Sequence, residues 1–156
     1  VSIVQVQINI AAAPQAVWDT IMDPLKLQDW VTIHRSVKVR SGDPAQEGAR
    51  MDQVLHILGV SFKVQWTLEH VSAPREAEWH GKGPALSKAL IRYRLKAMPE
   101  GTLFDYLNEF HTPGGALGNA ASRMVVGHLP EREARESLTR LKALVEGRAP
   151  GAAEDD

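Results

Sequence analysis

The sequence predicts an α+β domain in which a curved antiparallel sheet of about seven strands wraps one long C-terminal helix, with two short helices after the first strand. Three observations carry this. The opening VSIVQVQINI alternates apolar and polar residues, residues 35–112 read as strand after strand, and Glu131 to Val145 carries apolar residues at helical spacing. An antiparallel sheet with one apolar face must cover that face, and only one long helix is available to do it. The sheet therefore curls around the helix, a helix-grip arrangement.

Each element has its own signal. In the first strand Ile3/Val4, Val6, Ile8 and Ile10 alternate with Gln5, Gln7 and Asn9, which gives one wet face. In AAAPQAVWDTIMD, Pro14 suits a first helical turn, and Val17, Trp18, Ile21 and Met22 recur at helical spacing. Pro24 ends that helix and opens PLKLQDWV, whose apolar set is Leu25, Leu27 and Trp30. HRSVKVRSGD is the next strand. GARMDQVLHIL then meets VSFKVQWTLEHV at Gly59 in a tight hairpin. SAPRE turns into EAEWHGKG. SKALIRYRLKAM puts Ala89, Ile91, Tyr93 and Leu95 on one face and Arg92, Arg94 and Lys96 on the other. After MPEG, the strand TLFDYLNEFHT groups Phe104, Tyr106, Asn108 and Phe110; a slip of one residue would turn Leu103, Asp105, Leu107 and Glu109 inward instead. One domain over 1–147 is expected, with 148–156, Gly/Ala/Pro-rich and then acidic, as a loose tail.

Composition narrows the function classes. The 44% hydrophobic and 24% charged content over 156 residues suits one soluble globular domain with a sizeable core. A net charge of −1 provides no global field for nucleic acid or an anionic membrane. With no cysteine there are no disulfides, thiolate chemistry or cysteine-ligated metal. No apolar run approaches the roughly 18 residues of a membrane span, and a cytoplasmic setting is the default expectation.

One stretch does not behave like core. Ahead of the amphipathic helix, the segment from Thr112 onward holds Gly114, Gly115, Gly118, Ala120, Ala121, Ser122 and Gly127. Such a half-helix has too little side-chain volume to fill a concave sheet, so either a ligand cavity remains or the bulky sheet residues fill the gap. Gly127 and Pro130 predict a kink between the two halves.

The segments AAAPQAVWDTIMDPLKLQDW, LEHVSAPREAEWHGKG and EGTLFDYLNEFHTPGGALG, in that order and at that spacing, resemble the START-like (SRPBCC) superfamily, and within it the bacterial polyketide cyclase/dehydrase-like proteins. The resemblance covers residues 1 to 147. The single Pro74 in SAPRE and Pro130 within the last helix depart from the family pattern. It implies the helix-grip fold with a cavity between sheet and helix. The superfamily hosts carriers, cyclases and regulators, so it leaves the activity open.

The residues expected to line that cavity are Trp30, Met51, Leu55, Trp66, Trp79, Ile91, Tyr93, Phe104, Tyr106, Asn108, Phe110 and Met124, with His34 at its mouth. Asn108 lies at an inward parity, where a buried amide must find partners. It serves either as a polar handle for a ligand carbonyl or hydroxyl or as an internally satisfied amide. The six histidines, His34, His56, His70, His80, His111 and His128, show neither HxH nor HExxH spacing, and no metal or other cofactor is expected. There is no G-x-S-x-G, and Ser61, Ser87 and Ser122 have no signalled histidine partner. HTPGGALGN lacks a Walker lysine. Arg92, Arg94 and Lys96 read as a solvated strand face.

Binding of a small hydrophobic or aromatic molecule, such as a polyketide, isoprenoid or fatty acyl group, is the primary expectation, with no nucleic acid partner and no membrane span. The second is a cyclase, dehydratase or hydrolase that uses Tyr93, Tyr106, Asn108 or His34. The third is an interaction protein, with Leu103 and Leu107 outward as a possible homodimer face.

Overall fold

The computed structural model describes residues 2–112 and 129–147. The small-residue half-helix, Gly127, Met124 and the 148–156 tail fall outside the described residues. Strand β1 (Ser2–Ile10) leads into α1 (Pro14–Ile21), a 3-10 turn (Pro24–Lys26) and α2 (Leu27–Trp30). Strands β2 (His34–Ser41), β3 (Arg50–Ile57), β4 (Val60–Ser72), β5 (Glu76–Lys82), β6 (Lys88–Met98) and β7 (Gly101–His111) follow, and then helix α3 (Leu129–Glu146). All seven strands form one antiparallel sheet in the order β1-β7-β6-β5-β4-β3-β2. Consecutive strands β2 to β7 are joined as hairpins. Only the return from β1 to β2 is long, because it carries α1 and α2 across the open side of the curl.

Alternation fixes which face turns inward. Phe104, Tyr106, Asn108 and Phe110 of β7 stand opposite Leu95, Tyr93, Ile91 and Ala89 of β6, and opposite Ile8, Val6, Val4 and Ser2 of β1. Leu103, Asp105, Leu107 and Glu109 belong to the outer face. There Leu103 and Leu107 are half-buried, lying between Asn9 and Lys96 and between Gln5 and Arg92 respectively. The outer basic stripe is matched by an acidic one. Arg92 and Arg94 stand opposite Glu78 and Glu76 on β5, with nitrogen–oxygen distances of 3.2 and 3.6 Å.

Inner-face burial is graded along the strands. At the end where β1 finishes, Ile10, Leu68, Ala77 and Phe104 are fully buried and meet Leu138 and Leu141 of α3. Towards the other end Val4, Met51, Leu55, Phe62, Ala89, Ile91 and Phe110 are only half-buried. The core sits at the first end and thins towards the second. Helix α1 closes the packed end, with Val17, Trp18 and Ile21 turned in and Pro14 in its first turn. In α2, Leu27 and Trp30 are buried, but Leu25 before it is 77% exposed and is no part of the apolar set expected there, because the 3-10 turn rotates it outward.

Two polar ties hold α3 in place. Near its C-terminus the Glu146 carboxylate accepts the Ala11 N–H (2.7 Å) and the Lys142 ammonium (2.5 Å), which also donates to the Asn9 carbonyl (3.0 Å). Nearer its start, Ser137 Oγ accepts the Thr32 N–H (3.1 Å), and Glu133 accepts the Thr32 hydroxyl. Pro130 is the second residue of the described helix, and the kink expected between the two halves falls at residues outside the described ones.

The β6–β7 turn depends on glycine. Gly101 has φ +143°, and a Cβ there would lie 2.1 Å from the Ile10 carbonyl oxygen, a backbone atom with little room to yield. Gly48, with φ +87° and open space around it, carries conformational strain alone. In urea unfolding, Gly48→Ala is expected to cost about 1 kcal/mol. Gly101→Ala is expected to cost at least about 2 kcal/mol more, seen as a lower midpoint at unchanged slope. Equal losses would mean that the Ile10 contact relaxes freely.

Candidate ligand cavity

Where the core thins, the inner face does not close on the helix. A cavity of about 140 Å³ remains, bounded by β3 to β7 on one side and by α2 and α3 on the other. Of the residues singled out from sequence, Trp30, Met51, Leu55, Trp66, Trp79, Ile91, Tyr93, Tyr106, Asn108 and Phe110 all line it. Phe104 does not. It lies one inward position nearer the packed end, fully buried, with its ring edge-on to Tyr93 (5.6 Å between centroids) and Tyr106 (6.4 Å), so it buttresses the wall from behind. His34 is not in the lining either, but reaches it through Gln53. Met124 lies outside the described residues.

Tyr93 is the centre of the aromatic wall. It stacks on Tyr106 at 6.1 Å and meets Trp30 at 6.3 Å, tilted by 57°. Each such pair contributes about 0.5–1.5 kcal/mol beyond area burial. The Trp66 ring spreads over β5 because Gly81 leaves the space. A Cβ on Gly81 would lie 2.7 Å from that ring and 2.6 Å from Val64 Cγ1.

A polar chain runs behind this wall. Trp66 Nε1 donates to Gln53 Oε1 (2.9 Å), and the Gln53 amide nitrogen lies 2.8 Å from His34 Nδ1. Its direction is forced. An indole N–H can only donate, so the amide oxygen must face it; the amide NH₂ then faces His34, whose Nδ1 must accept. His34 is held neutral with its proton on Nε2. Burial acts in the same sense, pushing its pKa below the ordinary 6.5. Gln53 is 5% exposed and was not among the residues expected from sequence, although it sits at the inward parity between Met51 and Leu55.

The cavity's other polar groups are few. Asn108 Nδ2 donates to the Tyr106 hydroxyl (3.3 Å), so the amide expected as a polar handle is satisfied on its donor side by a neighbour. Among the described residues the Tyr93 hydroxyl has no hydrogen bond, and neither does the buried indole N–H of Trp30. Burial raises both tyrosine pKa values, that of Tyr106 to about 12 despite the Asn108 bond, so both keep their protons at neutral pH. From α3, Glu133, Ala134 and Ser137 reach the cavity at i, i+1 and i+4, a spacing that an amphipathic reading of the helix could have exposed.

The remaining candidates disperse. His56, exposed on the outer face, pairs with Ser61 across the β3–β4 hairpin (2.8 Å), which corrects the expectation that this serine lacks a histidine partner. The pair stands away from the cavity lining. Ser87 is buried but donates to the Pro84 carbonyl (2.7 Å), closing a turn. His80 pairs with Glu78, and His70 lies 3.6 Å from Glu47. Among the described residues no three His, Asp or Glu side chains are grouped to hold a metal ion, and no described helix is long and apolar enough to cross a membrane.

Known proteins place this architecture. The Thermus thermophilus protein TTHA0849 superposes with a TM-score of 0.75 at 16% identity, over 93% of this chain and 97% of its own. Ara h 8.0201 does so with a TM-score of 0.67 at 13% identity, over 94% and 98%. Among curated sequences, the uncharacterised Mycobacterium tuberculosis protein Rv1546 is 25% identical over 126 residues, 80% of this chain and 88% of that protein. A protein of the same organism named Toxin Rv0910 is 21% identical over 131 residues, 84% and 89% respectively. The profile of the family described as polyketide cyclase / dehydrase and lipid transport matches residues 2–146. With the seven-stranded grip, the cavity and that match over nearly its whole length, the chain belongs to this family of START-like proteins.

Proposed function

We propose that the protein binds a small hydrophobic or aromatic molecule in the cavity between the sheet and α3, and acts as a carrier or binding protein. The observation that carries this is the cavity wall itself. Trp30, Trp66, Trp79 and Tyr93 surround a space left unfilled, and such a wall is stabilised when an apolar guest displaces water from it. The polar groups present have the arrangement of orienting contacts, few in number and set among apolar neighbours.

Support for binding ahead of turnover comes from the same geometry. Among the described residues no nucleophile with a partnered base faces the cavity. The tyrosine hydroxyls are shifted away from neutral pH, which suits hydrogen bonding and not proton abstraction. Of the remaining acid/base candidates, His34 is outside the lining with Nδ1 committed to Gln53, and the Glu133 carboxylate accepts the Thr32 hydroxyl.

Native mass spectrometry of the purified protein against its denatured mass is the direct test. Added mass that is lost on denaturation is expected, or appears on incubation with small aromatic compounds. Three of the four tryptophans line the cavity, so occupancy should also shift the intrinsic emission. Ala89→Phe, which fills lining volume, should abolish both signals while far-ultraviolet dichroism stays native. Binding that survives in this variant would place the ligand elsewhere.

His34 makes a separate, pH-dependent prediction. Its pKa is lower folded than unfolded, so the unfolded chain takes up the proton first as pH falls. The stability it contributes is present above pH 6.5 and is lost as pH drops through the folded value. The stability difference between the wild type and His34→Gln should therefore shrink as pH is lowered from 7.5 to 5. A difference that stays constant or grows would show that His34 is not held neutral.

A further inference from the structure

Two turns at the cavity end of the sheet carry large apolar side chains into water. The hairpin between β3 and β4 turns on Leu58 and Gly59, and Leu58 is 62% exposed. The turn between β5 and β6 (Pro84–Leu86) carries Leu86, which is 84% exposed, with Ala85 exposed beside it. Register fixes where they lie. Ile57 and Phe62 flank the first turn, Ala89 follows the second, and all three line the cavity.

Neither turn is built from the residues its backbone favours. A two-residue hairpin turn with both residues at positive φ takes asparagine, aspartate or glycine first. Here φ is +51° at Leu58 and +79° at Gly59, so leucine holds that place. Ala85 (φ +54°) and Leu86 (φ +63°) continue the pattern. Among the described residues these are the three non-glycine positions of positive φ, and all lie in the two turns. A left-handed leucine strains the backbone, and an exposed one gains nothing from burial. Folding alone therefore does not account for either leucine.

The charges around them have one sign. Residues 53–68 and 79–91 contain no carboxylate. Lys63 is exposed on the outer face of β4, and Lys82 and Lys88, both exposed, stand directly opposite each other on β5 and β6. Like charges so placed repel. None of these three lysines has an ion pair among the described residues. The net charge of −1 over the chain thus conceals a local excess of cations.

We propose that these two turns dock the protein on an anionic lipid surface, with Leu58 and Leu86 entering the acyl boundary and Lys63, Lys82 and Lys88 meeting the headgroups. Isolated apolar tips favour lipid over a folded partner, because a fluid layer closes around a leucine without a matching pocket. Lysine stems lie along the apolar boundary while their ammonium groups reach the phosphates. Apolar insertion and attraction to anionic lipid act together in interfacial binding. The cavity end then faces the membrane, a reservoir of apolar molecules. This docking goes beyond the ligand-binding reading and holds or fails whatever the cavity contains.

The test is co-sedimentation of the full-length protein with vesicles of phosphatidylcholine alone and of phosphatidylcholine mixed with phosphatidylglycerol. The protein should bind the mixed vesicles, bind the pure ones at least about tenfold more weakly, and be released by salt. Leu58→Asn combined with Leu86→Asn should weaken binding at least about tenfold. The same variant should unfold at an equal or higher temperature, because asparagine tolerates the left-handed backbone. Lys82→Gln combined with Lys88→Gln should weaken binding to the mixed vesicles by about tenfold and leave the pure ones unchanged. No binding of the wild type to mixed vesicles overturns the proposal, as does binding that the leucine variant retains. Equal binding to both vesicles overturns the part assigned to the lysines. A lower unfolding temperature in the leucine variant would show that other residues of this chain cover the leucines. A sedimentation mass that falls from dimer to monomer in that variant would show that a second copy covers them. Either result overturns the docking surface.

Discussion

Among the described residues the inner face of seven curved strands has one long helix to cover it, and most of the molecule follows from how that mismatch is resolved. At the packed end the helix supplies Leu138 and Leu141, and α1 adds Val17, Trp18 and Ile21, so that Phe104, Leu68 and Ala77 lose all contact with water. Towards the other end the helix presents Ala134 and Ser137 instead. Smaller side chains facing a concave surface leave space, and close packing elsewhere does not let the sheet collapse to fill it. The cavity is therefore a consequence of the grip: the same strands are core at one end and binding wall at the other.

The tryptophans reconcile a large apolar area with a small number of polar demands. Trp66 lies flat across β5 because Gly81 carries no Cβ, and its indole N–H is met by Gln53, which in turn fixes the His34 tautomer. One donor-only group at the head of the chain sets the orientation of every group after it. Trp30 occupies the opposite side of the space without such a partner. The two indoles thus differ: that of Trp66 is satisfied internally, whereas that of Trp30 is buried without a partner among the described residues.

Thr32 connects this arrangement to the helix. Its N–H and hydroxyl both go to α3, at Ser137 and Glu133, two residues that also line the cavity. The loop after α2 and the helix therefore hold each other, and the position of Trp30, two residues earlier, is tied to the position of α3.

Much of this was legible along the chain. Period-two alternation in β1, β6 and β7 marked the inward faces; strand parity named nine of the residues that line the cavity, from Met51 to Phe110, and helical spacing added Trp30. The family was readable from three ordered segments for the same reason: strand, turn and capping chemistry is local, and local order is written in local sequence. What only the tertiary structure decided are properties of pairs distant in the chain. Phe104 shares parity with Tyr106 yet falls behind the wall, because burial depends on where along the strand the helix makes contact. Leu25 reads as apolar at helical spacing but turns outward on a 3-10 step. Gln53 became a polar hinge only when Trp66 and His34, thirteen and nineteen residues away, came within hydrogen-bond distance. The sequence by itself determined which side chains could face inward. Which of them enclose empty space was decided by the depth at which one helix meets a curved sheet, a distance that no run of neighbouring residues encodes.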